Sequence, residues 1–120
     1  MGFVDEDTTK INIELDVDSN YGLIMVSFED GEETNRINPV IGFSFSNSSN
    51  INDIEILGII PGDGRDPIII EYSEGVEIEV EFTNHGLYEV TAFGIDKEGS
   101  YHNVTMEIMI EKTIDWYENN

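Results

Sequence analysis

Residues 86–108 read GLYEVTAFGIDKEGSYHNVTMEI, and this stretch decides the fold. Its first half alternates, with Tyr88, Val90 and Ala92 on one side and Phe93 and Ile95 on the other. Asp96-Lys97-Glu98-Gly99 then supplies a tight charged turn, after which Tyr101 to Ile108 alternates again. A period of two marks strands, and the turn residues between two such runs mark a hairpin. The first strand is apolar on both faces. One face belongs to a core; the other needs cover, either from an extra N-terminal hairpin or from a protein partner.

The same pattern extends in both directions. KINIELDV (10–17) places Ile11, Ile13, Leu15 and Val17 on one face, and LIMVSFE (23–29) has Ile24, Val26 and Phe28 as its inner set. These two runs, joined by the turn DSNYG, read as a hairpin over 10–34, which DGEETN (30–35) ends. NPVIGFSFS (38–46) and IEILGII (54–60) are the next strands, separated by the polar cluster 47–53. The loop PGDGRDP (61–67) leads to IIIEYS (68–73), an edge strand. VEIEVEF (76–82) alternates most cleanly, with Val76, Ile78, Val80 and Phe82 in and Glu77, Glu79 and Glu81 out; the glutamate row discourages edge pairing. Residues 1–9 read as a flexible lead-in, 10–112 as one domain and 113–120, with Trp116 and Tyr117, as an exit segment. Eight or nine short strands with regular turns and no amphipathic helix predict an all-β sandwich, with an up-and-down barrel as the competing closure.

Composition agrees. Of the 120 residues 18 are Ile and eight Val, against four Leu and one Ala; β-branched residues suit a pleated surface and Ala suits helices. The chain carries 26 acidic and five basic residues, a net charge of -21. A nucleic-acid site needs a basic face, so nucleic acid is excluded as a partner, and docking on anionic lipid is disfavoured for the same reason. No apolar run approaches the roughly 20 residues of a membrane span, which argues against direct membrane insertion. Cysteine is absent, which removes disulfides, thiolate metal sites and cysteine nucleophiles. High salt or bound divalent cations would relieve the self-repulsion of so acidic a chain.

From Pro39 onward the order of features resembles a PKD domain, a member of the immunoglobulin-like sandwich superfamily. VIGFSFSNSSNINDIEI matches that family's strand, Ser-rich turn, Asp and strand; PGDG stands at its Gly-Asp-Gly loop; FTNHGLYEVTAFGIDKEGS and NVTMEIMI match its last two strands. The resemblance covers about residues 37–112. The family's Trp-Asp-Phe strand is replaced by Gly58-Ile59-Ile60-Pro61, and the N-terminal hairpin is additional. The resemblance implies a structural role for Gly86 and Tyr88: the Tyr88 hydroxyl folds back onto the backbone just upstream, a tyrosine corner.

Several residues carry metal-ligand or modification patterns. Asp16-x-Asp18-x-Asn20 has the spacing that opens a calcium loop, although Tyr21 and Ser27 stand where a helix-loop-helix site needs Gly and Glu. Asp63 and Asp66 share a loop and, with Asp53, would form an oxygen cage; the plainer alternative has Asp63 capping its turn beside Arg65. Asn47-Ser48-Ser49 and Asn103-Val104-Thr105 are N-glycosylation sequons. His85 and His102 have no ligand spacing for zinc, and no nucleophile elbow or phosphate-binding loop is present. The expected function is therefore non-catalytic. The expectation is a spacing, adhesion or protein-contact module of a larger extracellular or cell-surface protein, prokaryotic and archaeal, with calcium as its one candidate cofactor. The partner is a protein or a neighbouring domain. The alternatives are a calcium-dependent carbohydrate-binding module, for which Tyr72, Tyr101 and Trp116 are the available platform, and the soluble domain of an archaeal surface filament or its anchor.

Overall fold

The computed structural model describes residues 10–115. Among them are nine strands: β1 (Asp16–Val17), β2 (Tyr21–Glu29), β3 (Glu32–Ile37), β4 (Val40–Ser44), β5 (Ile54–Ile60), β6 (Ile68–Glu71), β7 (Glu77–Glu81), β8 (Gly86–Asp96) and β9 (Tyr101–Asp115). They form two sheets, one ordered β1-β4-β7 and the other β3-β2-β9-β8-β5-β6. The chain is an all-β sandwich of two sheets. Every pair is antiparallel except β2 with β9, which run parallel from Tyr21 beside Met109 to Ser27 beside Asp115.

The core lies where the inner faces meet. Phe43, Ile41, Ile78 and Val80 come from the smaller sheet, and Ile24, Val26, Leu57, Ile59, Val90, Ala92, Ile108 and Ile110 from the larger one, all buried. Each of the Val, Leu, Ile and Phe side chains among them contributes about 1.5–3 kcal/mol through removal from water. The alternation in the sequence reports this directly: Glu77, Glu79 and Glu81 are exposed while Ile78 and Val80 are not. β7 is an edge strand, as the glutamate row requires. One bulge, between Ile54 and Ile56, turns Ile54 inward and leaves Ile56 on the outer face.

The N-terminal hairpin is present but has different arms. Residues 10–17 do keep Ile13 and Leu15 buried, yet they pair with the smaller sheet, through the Asn12–Ser49 bridge and β1 against β4. The chain then crosses at 18–20 into the larger sheet. The hairpin is β2 with β3, turning at Asp30 and Gly31, both at positive φ. The segment read as the end of the hairpin is thus its second arm. β3 is exposed nearly throughout, so no burial pattern marks it; cross-strand pairing holds it, together with Arg36, which bonds Asn38 and the carbonyl of Thr83. β9 also runs on through residues 113–115, read as the start of an exit segment, because β2 lies alongside them. Trp116, Tyr117 and residues 1–9 lie outside the described residues.

Candidate functional site: the outer face of the six-stranded sheet

Cross-strand registers fix which side chains share the outer face of the larger sheet. Side chains directly opposite one another lie on the same face. One row runs Ile69–Gly58–Phe93–Asn103 across β6, β5, β8 and β9, and the next holds Ile56, Ile95 and Tyr101. Further along come Ile60–Thr91–Thr105, then Glu89–Glu107, then Leu87–Met109–Tyr21. Beyond these are Glu111–Leu23 and finally Thr113–Met25–Ile37.

Of the eight large hydrophobic residues left exposed among the described residues, seven lie on this face: Tyr21, Met25, Ile37, Ile69, Leu87, Tyr101 and Met109. Only Val40 lies elsewhere. Single exposed apolar residues are ordinary; here the exposed apolar side chains are gathered on one face, interrupted by the Glu89–Glu107 row. The hairpin does not cover this face, as one expectation had it. It extends the sheet sideways and adds Met25 and Ile37 to the same surface.

Phe93 is covered instead from within its own sheet. It stacks on Tyr101 with centroids 5.7 Å apart and planes 22° apart. Its ring lies over Gly58, where a Cβ would fall 2.2 Å from the ring. With no Cβ at Gly58, the Phe93 ring lies flat on the sheet there. Phe93 is 7% exposed and Tyr101 55%, so the pair presents one tyrosine face to solvent. Tyr21 donates its hydroxyl to Glu111 at 2.8 Å. That bond, with some desolvation, pushes its pKa up and keeps it a neutral donor.

The sequence-predicted residues are spread around the molecule. Asp16 accepts a bond from the Asn47 side chain at 2.9 Å. Asn20 gives its carbonyl to the N–H of Met109, continuing the β2–β9 lane. Asp53 precedes β5, whereas Asp63 and Asp66 follow it, so the length of a seven-residue strand, about 20 Å, separates them. The cage of Asp53 with Asp63 and Asp66 is excluded by that distance. Asp63 instead accepts Nε of Arg65 at 2.8 Å and the Arg65 N–H at 3.2 Å. Burial pushes its carboxyl up, but the Arg65 bonds outweigh this and hold it below its ordinary value. Among the described residues no three His, Cys, Asp or Glu side chains converge as a metal cluster. Asn47 is exposed in a turn, and Asn103 is exposed on the outer face directly opposite Phe93.

Tyr88 does form the corner. Its hydroxyl donates to the carbonyl of Asn84 at 2.7 Å, with that of His85 at 3.3 Å, and its ring stacks on Phe82. Gly86 has φ +154°, a conformation that side-chain-bearing residues avoid. Arg65 lies over the Phe82 ring at 5.6 Å, tying the Asp63 loop to the corner.

Two features went unread in the sequence: the network that Asp96 builds inside its turn, and a cleft. Asp96 accepts the N–H groups of Glu98 and Ser100 at 2.9 Å each and meets His102 Nε2 at 2.9 Å. An Asp heading a four-residue turn that ends in Gly was the available signal. The second is a cleft of about 460 Å³ at one end of the sandwich, with Phe45, Ile51, Tyr72, Val76, Glu74 and Glu77 among its walls.

No helix among the described residues is long and apolar enough to cross a membrane. No protein-family model matches the chain, and no curated protein matches it. Among solved structures it is similar to one described as concerning "carbohydrate-binding modules from the beta-sandwich super family". The two share a TM-score of 0.64 and 17% identity over 86% of this chain. This chain spans 35% of the length of that one, and the likeness is one of fold.

Proposed function

We propose that this chain is a non-catalytic contact module, PKD-like in kind, of a larger archaeal surface or secreted protein. Its working surface is the outer face of the six-stranded sheet, and its partner is a protein or an adjoining domain. The observation that carries this reading is the gathering of seven of the eight exposed large hydrophobic residues on one sheet face. The polar clusters elsewhere are occupied with holding turns, as Asp63 and Asp96 are. A carbohydrate-binding role is the second reading. It is favoured by the stacked Phe93–Tyr101 pair, which offers an exposed ring on a flat sheet, and by the solved structure described as concerning carbohydrate-binding modules.

A glycan screen with the wild type and Tyr101→Ala separates them. The contact-module reading expects no saturable glycan signal from either protein. Saturable binding by the wild type that Tyr101→Ala abolishes would replace it with the carbohydrate reading.

A further inference from the structure

We propose that the partner presents a basic side chain, Lys or Arg, flanked by apolar groups, and seats it over Glu89 and Glu107. This rests on the reading that the outer face is the contact surface. The two glutamates stand directly opposite each other on β8 and β9, and both are exposed. Among the described residues neither has a Lys, Arg or His within ion-pair distance. Like charges directly across an antiparallel pair destabilise it. A partner's positive charge placed between them removes that repulsion.

Their surroundings define what relieves the repulsion. The Leu87–Met109 row lies one same-face step away, about 7 Å, and the Thr91–Thr105 row lies a like distance on the other side. A basic side chain arriving over the pair lays its aliphatic stem on Leu87 and Met109 and its charged head between two carboxylates. The net charge of -21 favours such a partner at long range and steers its approach. It disfavours a second copy of this chain, whose own Glu89 and Glu107 would meet these across a two-fold interface.

The test uses the full chain and two readouts. Variants are Glu89→Gln with Glu107→Gln, Leu87→Ala with Met109→Ala, and, as a control matched in charge, Glu77→Gln with Glu79→Gln on the other sheet. The probes are synthetic peptides: one with a Lys between Leu and Ile, one with Glu in place of that Lys, and one with the Lys between serines. The Glu89/Glu107 double variant should raise the melting midpoint by about 1–5 °C, beyond the control. It should also weaken the Leu-Lys-Ile peptide by about 2- to 5-fold, while the control leaves that affinity unchanged. The Leu87/Met109 variant should weaken the same peptide and not the serine one.

If the Leu87/Met109 change weakens binding and the glutamate change does not, the contact face stands and the basic-partner inference falls. Should neither change affect binding, both readings fall together. Concentration-dependent dimerisation that the Leu87/Met109 variant abolishes would overturn the proposal in favour of a second copy.

Discussion

Gly58 and Phe93 show how one residue without a side chain determines a surface. The ring occupies the space that any Cβ at 58 would enter, so Gly58→Ala must lift Phe93 off the sheet. Such overpacking costs about 1–3 kcal/mol, to be read from urea unfolding, and Phe93→Leu in the same chain should recover part of the loss. A Gly58→Ala chain as stable as the wild type would show that the ring is not held there. Asp96 sets a pH dependence. Its bond to His102 and then the N–H of Ser100 hold its carboxyl below the usual 3.8. A carboxyl with a lowered folded pKa stabilises the fold above its unfolded value, and that stabilisation disappears as the pH falls through the folded value. Melts below about pH 4 should therefore show a falling midpoint for the wild type and a flatter acid limb for Asp96→Asn. Parallel acid limbs would remove Asp96 as the source. Tyr88 was legible in the sequence because its corner depends on local order, a Gly two residues before it and a strand after. Asp53, Asp63 and Asp66 misled because acidic residues near one another in a list were separated by a whole strand in space.

The elements that could be read were those that bury a face. β5, β7 and β8 announce themselves through alternation or an apolar run, and their limits fall within a residue of the reading. β3 does not, since five of its six residues are exposed and it is a strand only because β2 pairs with it. Residues 111–115 belong to β9 for the same reason. Pairing partners are non-local, and periodicity carries no information about them. The outer-face site was half legible: the apolar second face of β8 signalled it, but Tyr21, Met25 and Ile37 join it only through strand order. A chain ending after Ile110 tests the dependence of β2 on β9. It loses the partners of Leu23 through Ser27, on a strand whose Ile24 and Val26 are 0% and 1% exposed. Stability should fall by about 2–5 kcal/mol. Amide protection should be lost first in residues 21–37; protection retained there would mean that the smaller sheet alone secures β2.

Charge is a property of the whole molecule. With a net -21 and three ion pairs among the described residues, repulsion between carboxylates is screened mainly by salt, which shortens the Debye length from about 30 Å at 0.01 M to about 8 Å at 0.15 M. The melting midpoint should rise steadily with sodium chloride over that range. Calcium at matched ionic strength, against an EDTA baseline, tests the candidate cofactor: a midpoint equal to that in sodium chloride assigns the effect to diffuse surface charge. A clear excess for calcium would direct attention to Asp16 and Asp18. The parallel pairing of β2 with β9 has a mechanical consequence. Tension applied at residues 10 and 115 pulls these two neighbours along their length in opposite directions. Seven facing residue pairs, Tyr21–Met109 to Ser27–Asp115, then share the load in shear; they cannot open one at a time like a zip. A fold so arranged resists extension until those pairs break together.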